Sequence, residues 1–209
     1  MAGKAHWENI YATKSVRELS WYRDRLDTSL ELIERAHLPV NAAIIDIGGG
    51  ASTLVDDLLR MGFPDVTVLD LSAGALEQTR QRMGAASESV HWMEGDVTTA
   101  KLKPEHYDLW HDRAMFHFLS GASERSAYVA AATRAVKQHG LLILAAFALD
   151  GPAKCSGLPV ERYGPQELAG QFPAFAMLES RRDGHRTPAG ILQNFTYVLM
   201  QKKQEDAGR

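Results

Sequence analysis

The stretch Ala43-Ile44-Ile45-Asp46-Ile47-Gly48-Gly49-Gly50-Ala51-Ser52 decides the fold. Its first five residues are an apolar, β-branched run carrying one acid, the pattern of a buried strand. Three consecutive glycines follow, then Ser52, a natural helix N-cap, and the helical pattern Thr53 to Met61. Strand, glycine loop and helix in that order form a nucleotide-type site, because glycine lets the chain turn sharply and a ligand approach the main chain. The spacing is Gly48-x-Gly50, with Thr53 where a third glycine would complete a dinucleotide fingerprint. Taken alone, the loop also suits a tight turn with nothing bound.

Downstream of the loop, strand and helix patterns alternate. Strands are expected at Val66–Asp70, Val90–Met93, Tyr107–His111 and Leu141–Leu149. Helices are expected at Ala73–Met83, with Ser72 as N-cap and Gly84 as its stop, and from about Ser123 to Gln138, with Gly140 as a breaker. Such repeats with right-handed crossovers make a doubly wound parallel sheet. Then the pattern changes. Gly151 to Tyr163 reads as an irregular loop, and Pro165 to Gln171 as a short helix with proline in its first turn. Ala174–Arg182 and Ile191–Gln201 read as strands joined by a hairpin, hence antiparallel at one end of the sheet. Lys202 to Arg209 reads as a frayed polar tail.

Upstream, residues 1–22 are polar yet contain Trp7, Tyr11, Trp21 and Tyr22. Leu19, Tyr22, Leu26, Leu30 and Ile33 recur at helical steps, and Pro39 ends that pattern. Residues 1–40 are therefore expected to form an N-terminal helical cap whose aromatics cover a ligand. Residues 41–202 form the main domain and 203–209 the tail.

The chain has 209 residues, 45% of them hydrophobic and 23% charged, enough for one domain with a full core. A formal net charge of -3 argues against a dedicated nucleic-acid binder. One cysteine, Cys155, excludes an internal disulfide and suits a reducing compartment. No secretory h-region opens the sequence, and no apolar run is long enough to span a bilayer. A cytoplasmic protein without a membrane partner is the expectation.

Asp46, Asp70, Asp96 and Asp112 all fall at or next to the carboxyl ends of expected strands, where open α/β sheets bind ligands. Asp70 follows Gly50 by 20 residues, the offset of an acid that grips ribose hydroxyls. Each also has a structural reading. Asp46 could bond only the glycine turn, Asp70 could cap a helix, Asp96 could lie in a surface turn, and Asp112 could pair with Arg113.

This pattern resembles the class I S-adenosylmethionine-dependent methyltransferases over roughly residues 41–201. The resemblance implies a Rossmann-like, doubly wound seven-stranded α/β sheet, mostly parallel with an antiparallel C-terminal strand. Asp46, Gly48, Gly49 and Gly50 would then cradle the amino-acid end of S-adenosylmethionine. Asp70 would hold its ribose, Leu71 would pack on its adenine, and Asp96 with Val97 would meet the adenine amino group. The fourth-strand motif Asp108 to Asp112, including His111, would face the methyl group. Tyr11 and Trp21 would close over the cofactor. The N-terminal aromatics are similar to those of two groups, the small lysine methyltransferases and the thiopurine and tellurite-resistance type. After strand four the lysine enzymes carry Asp-Lys-Gly-Thr-x-Asp, whereas this chain has Asp112-Arg113-Ala114-Met115-Phe116-His117.

Methyl transfer from a sulfonium needs positioning more than a nucleophile. A base is required only for a protonated acceptor. Asp112 and His117 are the candidates for that role, although His117 could equally be a satisfied loop histidine. Arg113, Phe116, Cys155 and Arg162 are the candidates for the acceptor side. The histidine spacing gives no zinc pattern, and no metal is expected. The reading is methyl transfer to a small-molecule sulfur or nitrogen. The alternatives are a protein lysine acceptor, a nicotinamide-dependent oxidoreductase and a non-catalytic binding domain.

Overall fold

The computed structural model describes residues 3–204. A seven-stranded sheet has the order β3-β2-β1-β4-β5-β9-β8. Its strands are β1 (Ala43–Ile47), β2 (Asp65–Asp70), β3 (Val90–Glu94), β4 (Tyr107–Arg113), β5 (Val136–Phe147), β8 (Phe175–Arg186) and β9 (Leu192–Lys202). Strands β1 to β5 pair in parallel, and β9 runs antiparallel to both β5 and β8. The strand order reverses between β1 and β4, so β1 and β4 flank the switch point where such sheets hold ligands.

Alternation along the strands feeds two cores. Ile45, Ile47, Trp110, Leu142 and Leu144 face helix α5 (Ala122–Ala135) and α6 (Pro165–Gly170) through Tyr128, Ala132 and Leu168. Ile44, Leu109, Ile143 and Ala145 face α2 (Asp27–Arg35), α3 (Leu54–Arg60) and α4 (Ala73–Met83) through Leu30, Ile33, Leu58 and Leu76. A third cluster joins Ile10 and Tyr11 of α1 (Lys4–Thr13) with Leu19, Ala51 and Ala75, fixing the N-terminal segment across the strand ends. No helix is long and apolar enough to cross a membrane among the described residues.

Several boundaries differ from expectation. The N-terminal stripe is not one helix. Val16–Glu18 forms a 3-10 turn, a second turn and an irregular stretch follow, and α2 carries only Leu30 and Ile33 of that stripe. Helix α2 also ends before Pro39, and His37 takes a left-handed φ of 47°. Helix α3 starts at Leu54, with Ser52 Oγ accepting the Leu54 N–H at 3.1 Å. The α5 helix stops at Ala135 because Val136 already pairs with Tyr107. The pairing register then slips past a bulge, where His139 has φ 60°, before Leu141 pairs with Leu109. Within the expected loop 151–163, Lys154–Cys155 (β6) and Leu158–Pro159 (β7) pair as a small hairpin. Its turn residues Ser156 and Gly157 both have positive φ, 51° and 79°, as a two-residue hairpin requires. Lys202 is not frayed. It closes β9, is buried, and its Nζ donates to the Val136 carbonyl at 2.9 Å. Residues 205–209 of the expected tail lie outside the described residues.

Candidate active site

Gly48 turns the chain off β1 with φ 67° and donates its N–H to the Leu69 carbonyl at 2.7 Å. The next two glycines are required by what surrounds them. A Cβ on Gly49 would collide with the Asp46 carboxylate. One on Gly50 would lie 2.6 Å from Asp70 Oδ2 and 2.7 Å from the Ala75 Cβ. The loop therefore lies directly on the two acids that end β1 and β2.

Asp70 Oδ2 accepts the Gly50 N–H at 3.0 Å, and Oδ1 accepts the Ser72 N–H at 2.8 Å. Burial raises its pKa to about 6 against these two donors, and the charges of Asp46 and Glu8 add to the rise. Asp46 is 2% exposed. Its Oδ1 lies 2.7 Å from His111 Nδ1, and His111 Nε2 lies 2.9 Å from Ser29 Oγ on α2. Asp46 Oδ2 is buried without a partner. Asp96 Oδ1 accepts from both the amide (2.9 Å) and the hydroxyl (2.7 Å) of Thr98.

Over these strand ends lies a cleft of about 730 Å³, part of it open to solvent. Asp70, Leu71, Asp96 and Val97 line its β2–β3 end; Arg113, Met115, Phe118 and Cys155 line its β4–β5 end. Trp7, Tyr11 and Trp21 complete the wall. A second recess shares Tyr11, Trp21, Gly48 and Arg113 with it and reaches Asp46, Gly49, Ser52 and His111. Trp7 packs edge-on against Phe118 (centroids 5.0 Å apart) and Trp21 (6.0 Å). Helix α1 is held there by Glu8, whose Oε1 accepts the Ala73 N–H at 2.8 Å. Its Oε2 accepts the Ser72 hydroxyl at 3.1 Å and the Gly74 N–H at 3.2 Å.

The structure thus gathers Tyr11, Trp21, Asp46, Gly48, Gly49, Asp70, Leu71, Asp96, Val97, His111, Arg113 and Cys155 around two adjoining recesses. Gly50 packs beneath the loop, against Asp70. Four other candidates stand elsewhere. Asp112 is fully buried and accepts from Tyr128 Oη (2.6 Å), Met115 N (2.8 Å) and Phe116 N (3.0 Å), which fixes the turn after β4. Burial raises its pKa to about 6. His117 is buried between Phe118 and Phe147, and burial, then the Arg113 charge, pull its pKa down to about 3. Phe116 is in the core against Tyr128 and Phe172. Arg162 is exposed and donates to the Leu149 and Gly151 carbonyls. None of the four lines either recess. Phe116 and His117 follow the turn at Ala114, whose φ is 74°, whereas Asp112 lies within β4 on the face opposite His111 and Arg113.

Sequence reasoning missed Glu8 as the α4 cap, Ser29 behind His111, and Met115 and Phe118 as cleft walls. Only the turn after β4 tells Phe118 from Phe116, and no local pattern announces that turn.

Residues 44–140 match the family model described as a methyltransferase domain. Over that stretch, just under half of the chain, it is similar to S-adenosylmethionine-dependent methyltransferases. Human EEF1A lysine methyltransferase 2 is 23% identical over 168 residues, which are 68% of this chain and 66% of that protein. The chain therefore spans just under two thirds of that relative's length. In fold it is similar to the structure reported for conversion of a disulfide bond into a thioacetal group during echinomycin biosynthesis. The TM-score is 0.79 at 17% identity, covering 96% of this chain and 93% of that one. It is also similar to the Burkholderia thailandensis 1,6-didemethyltoxoflavin-N1-methyltransferase (TM-score 0.70, 19% identity, 96% and 84% covered).

The residues present fit S-adenosylmethionine. Asp46 Oδ2 is a free buried acceptor of the kind a cofactor ammonium would satisfy, and the glycine loop leaves backbone beside it with no Cβ in the way. Asp70 keeps unused lone pairs on both oxygens for hydroxyl donors.

Proposed function

We propose that this methyltransferase acts on a small-molecule acceptor at sulfur or nitrogen. One observation carries the reading. The β4–β5 end of the cleft is roofed by Trp7 packed on Phe118 and Trp21, so an acceptor must enter a recess walled by aromatic rings beside Arg113 and Met115. In this reading Asp46 and the Gly48–Gly50 turn hold the amino-acid end of the cofactor, with His111 orienting Asp46. Asp70 takes the ribose hydroxyls, and Leu71, Asp96 and Val97 take the adenine. Tyr11 and Trp21 exclude water from the sulfonium. Bound S-adenosylmethionine supplies an activated methyl, so the protein contributes alignment, worth up to ~7–11 kcal/mol. Asp112 and His117 serve the architecture of the chamber rather than proton transfer. The single unbridged thiol supports a reducing, cytoplasmic setting.

Calorimetry with S-adenosylmethionine and with NAD, followed by turnover to S-adenosylhomocysteine on thiols, amines and peptides, tests this. Binding of the first alone, with turnover on a small acceptor, is expected. A second reading, protein lysine methylation, is favoured by the EEF1A lysine methyltransferase relative. Turnover on lysine peptides but on no small molecule would establish it instead.

A further inference from the structure

Residues 19–26 form no helix or strand, and Trp21, which lines both recesses, sits among them. A segment without a ladder of its own is held by whatever bonds its main chain. Here three of its carbonyls are taken by side chains of distant elements. The Ser20 carbonyl accepts from His185 Nε2 at 2.7 Å, the Trp21 carbonyl from Arg113 Nη1 at 3.0 Å, and the Arg23 carbonyl from Thr53 Oγ1 at 3.2 Å. The Arg23 side chain then returns to the first of these partners. Its Nε donates to His185 Nδ1 at 2.9 Å, and its Nη2 lies 2.7 Å from Asp183 Oδ2.

His185 thus bonds this segment through both ring nitrogens. A guanidinium only donates, so Nδ1 carries the lone pair and Nε2 the proton that goes to Ser20. Only the neutral ring, in that one tautomer, makes both bonds. Burial, then the Arg113 charge, lower its pKa to about 4, so the ring is neutral at ordinary pH. The sheet explains how β8 reaches this far. The last β5–β9 pair is Phe147–Phe195, but β8 and β9 go on pairing through Gly184–Asn194, His185–Gln193 and Arg186–Leu192. The hairpin overhangs the carboxyl end of β5, on the side of the sheet where the cleft lies.

We propose that this overhang anchors the Trp21 segment, and that His185 and Arg23 are positioning residues that seat Trp21 over both recesses. His185 lines neither recess, so it acts on a ligand only through the segment it holds. The inference rests on the methyltransferase reading above for the identity of the ligand that Trp21 covers. Breaking the His185 contacts frees the segment at the end nearest α1, and Trp21 then no longer retains what is bound beneath it.

Two measurements test it: the rate at which S-adenosylhomocysteine leaves, and hydrogen exchange of residues 19–26 in the unliganded protein. H185F keeps a ring and loses both bonds, whereas H185Q keeps one donor and one acceptor. H185F should speed release roughly 5- to 100-fold, the net worth of two hydrogen bonds, and should raise exchange in the segment. H185Q should recover most of both. In a W21A background H185F should change release by less than about twofold, because its effect passes through the ring already removed. F175L alters the core at the far end of β8, and should lower Tm while changing neither readout. Four results overturn the proposal: release and exchange unaltered in H185F, H185Q no better than H185F, H185F and W21A effects that multiply, or F175L speeding release as H185F does at a matched loss of Tm. If S-adenosylhomocysteine does not bind the unmodified protein, the methyltransferase reading falls instead, and exchange of residues 19–26 still decides the anchor.

Discussion

Asp70 has two backbone donors on it already and, in the proposed role, must take a ribose as well. An ionised carboxylate serves all of these best. Because burial holds its pKa near 6 rather than 3.8, protonation competes in an accessible range. Cofactor binding then favours the ionised form and releases a proton at low pH. Affinity is expected to be flat above pH 6 and to fall by up to tenfold per unit below it. Calorimetry between pH 5 and 8 would read this as about one proton per event at the acid end. Asp70→Asn should bind roughly 10- to 100-fold more weakly and lose the slope. A slope that persists in Asp70→Asn assigns the proton elsewhere. At Ser29 the question is orientation. A carboxylate only accepts, so the His111 Nδ1 proton points to Asp46, and Ser29 satisfies the other ring nitrogen. Ser29→Ala leaves that nitrogen buried and unpaired, at a cost of about 1–3 kcal/mol. Thermal unfolding should show the loss, and cofactor affinity should fall several-fold as Asp46 loses its fixed setting. Undiminished affinity would confine Ser29 to a structural role.

Helix α1 is seated by the Ile10/Tyr11 cluster, and one carboxylate adds a polar attachment to α4. Glu8 caps the N-terminus of α4, where free N–H groups and the helix dipole favour an anion. Trp7 and Tyr11 ride on that same helix. Glu8→Ala removes a cap worth about 0.5–2 kcal/mol, and S-adenosylhomocysteine should leave roughly 2- to 30-fold faster. Stopped-flow tryptophan fluorescence, reported by Trp7 and Trp21, would check it. An unchanged release rate means that the ligand leaves without α1 moving. The attachment was invisible in the sequence, since Glu8 and Ala73 are 65 positions apart. The glycine turn, the Ser72 cap and the proline at the start of α6 were legible because each is local chemistry. The α5–β5 junction was not. Helical periodicity runs on past Ala135, and only pairing of Val136 with Tyr107 stops it.

Across the whole molecule, the parallel sheet and its antiparallel close followed from alternation and loop length, and so did the acids at the strand ends, while the strand order itself came only from the structure. What side chains do after β4 did not follow, because the turn at Ala114 decides it for Phe116 and His117 together. His117 leaves a mark on global stability. Its pKa falls from 6.5 to about 3 on folding, so the folded state binds fewer protons. The stability this gives is complete above pH 6.5 and is lost as pH falls toward 3. Asp70 and Asp112, both raised to about 6, act with the opposite sign between about pH 4 and 6. Comparing His117→Phe with the parent isolates the histidine. The variant's Tm should drop less between pH 7 and 4, whatever its value at pH 7. An identical drop would show that His117 binds its proton equally in the folded and unfolded states. Cys155 offers one last consequence. It is the chain's sole cysteine and lies 4% exposed in the cleft wall, its thiol held protonated by burial. An alkylating reagent must come at it through the cleft, and S-adenosylhomocysteine in the cleft should slow the reaction. The rate of its modification therefore reports whether the cleft is filled, so the protein carries its own gauge of ligand occupancy.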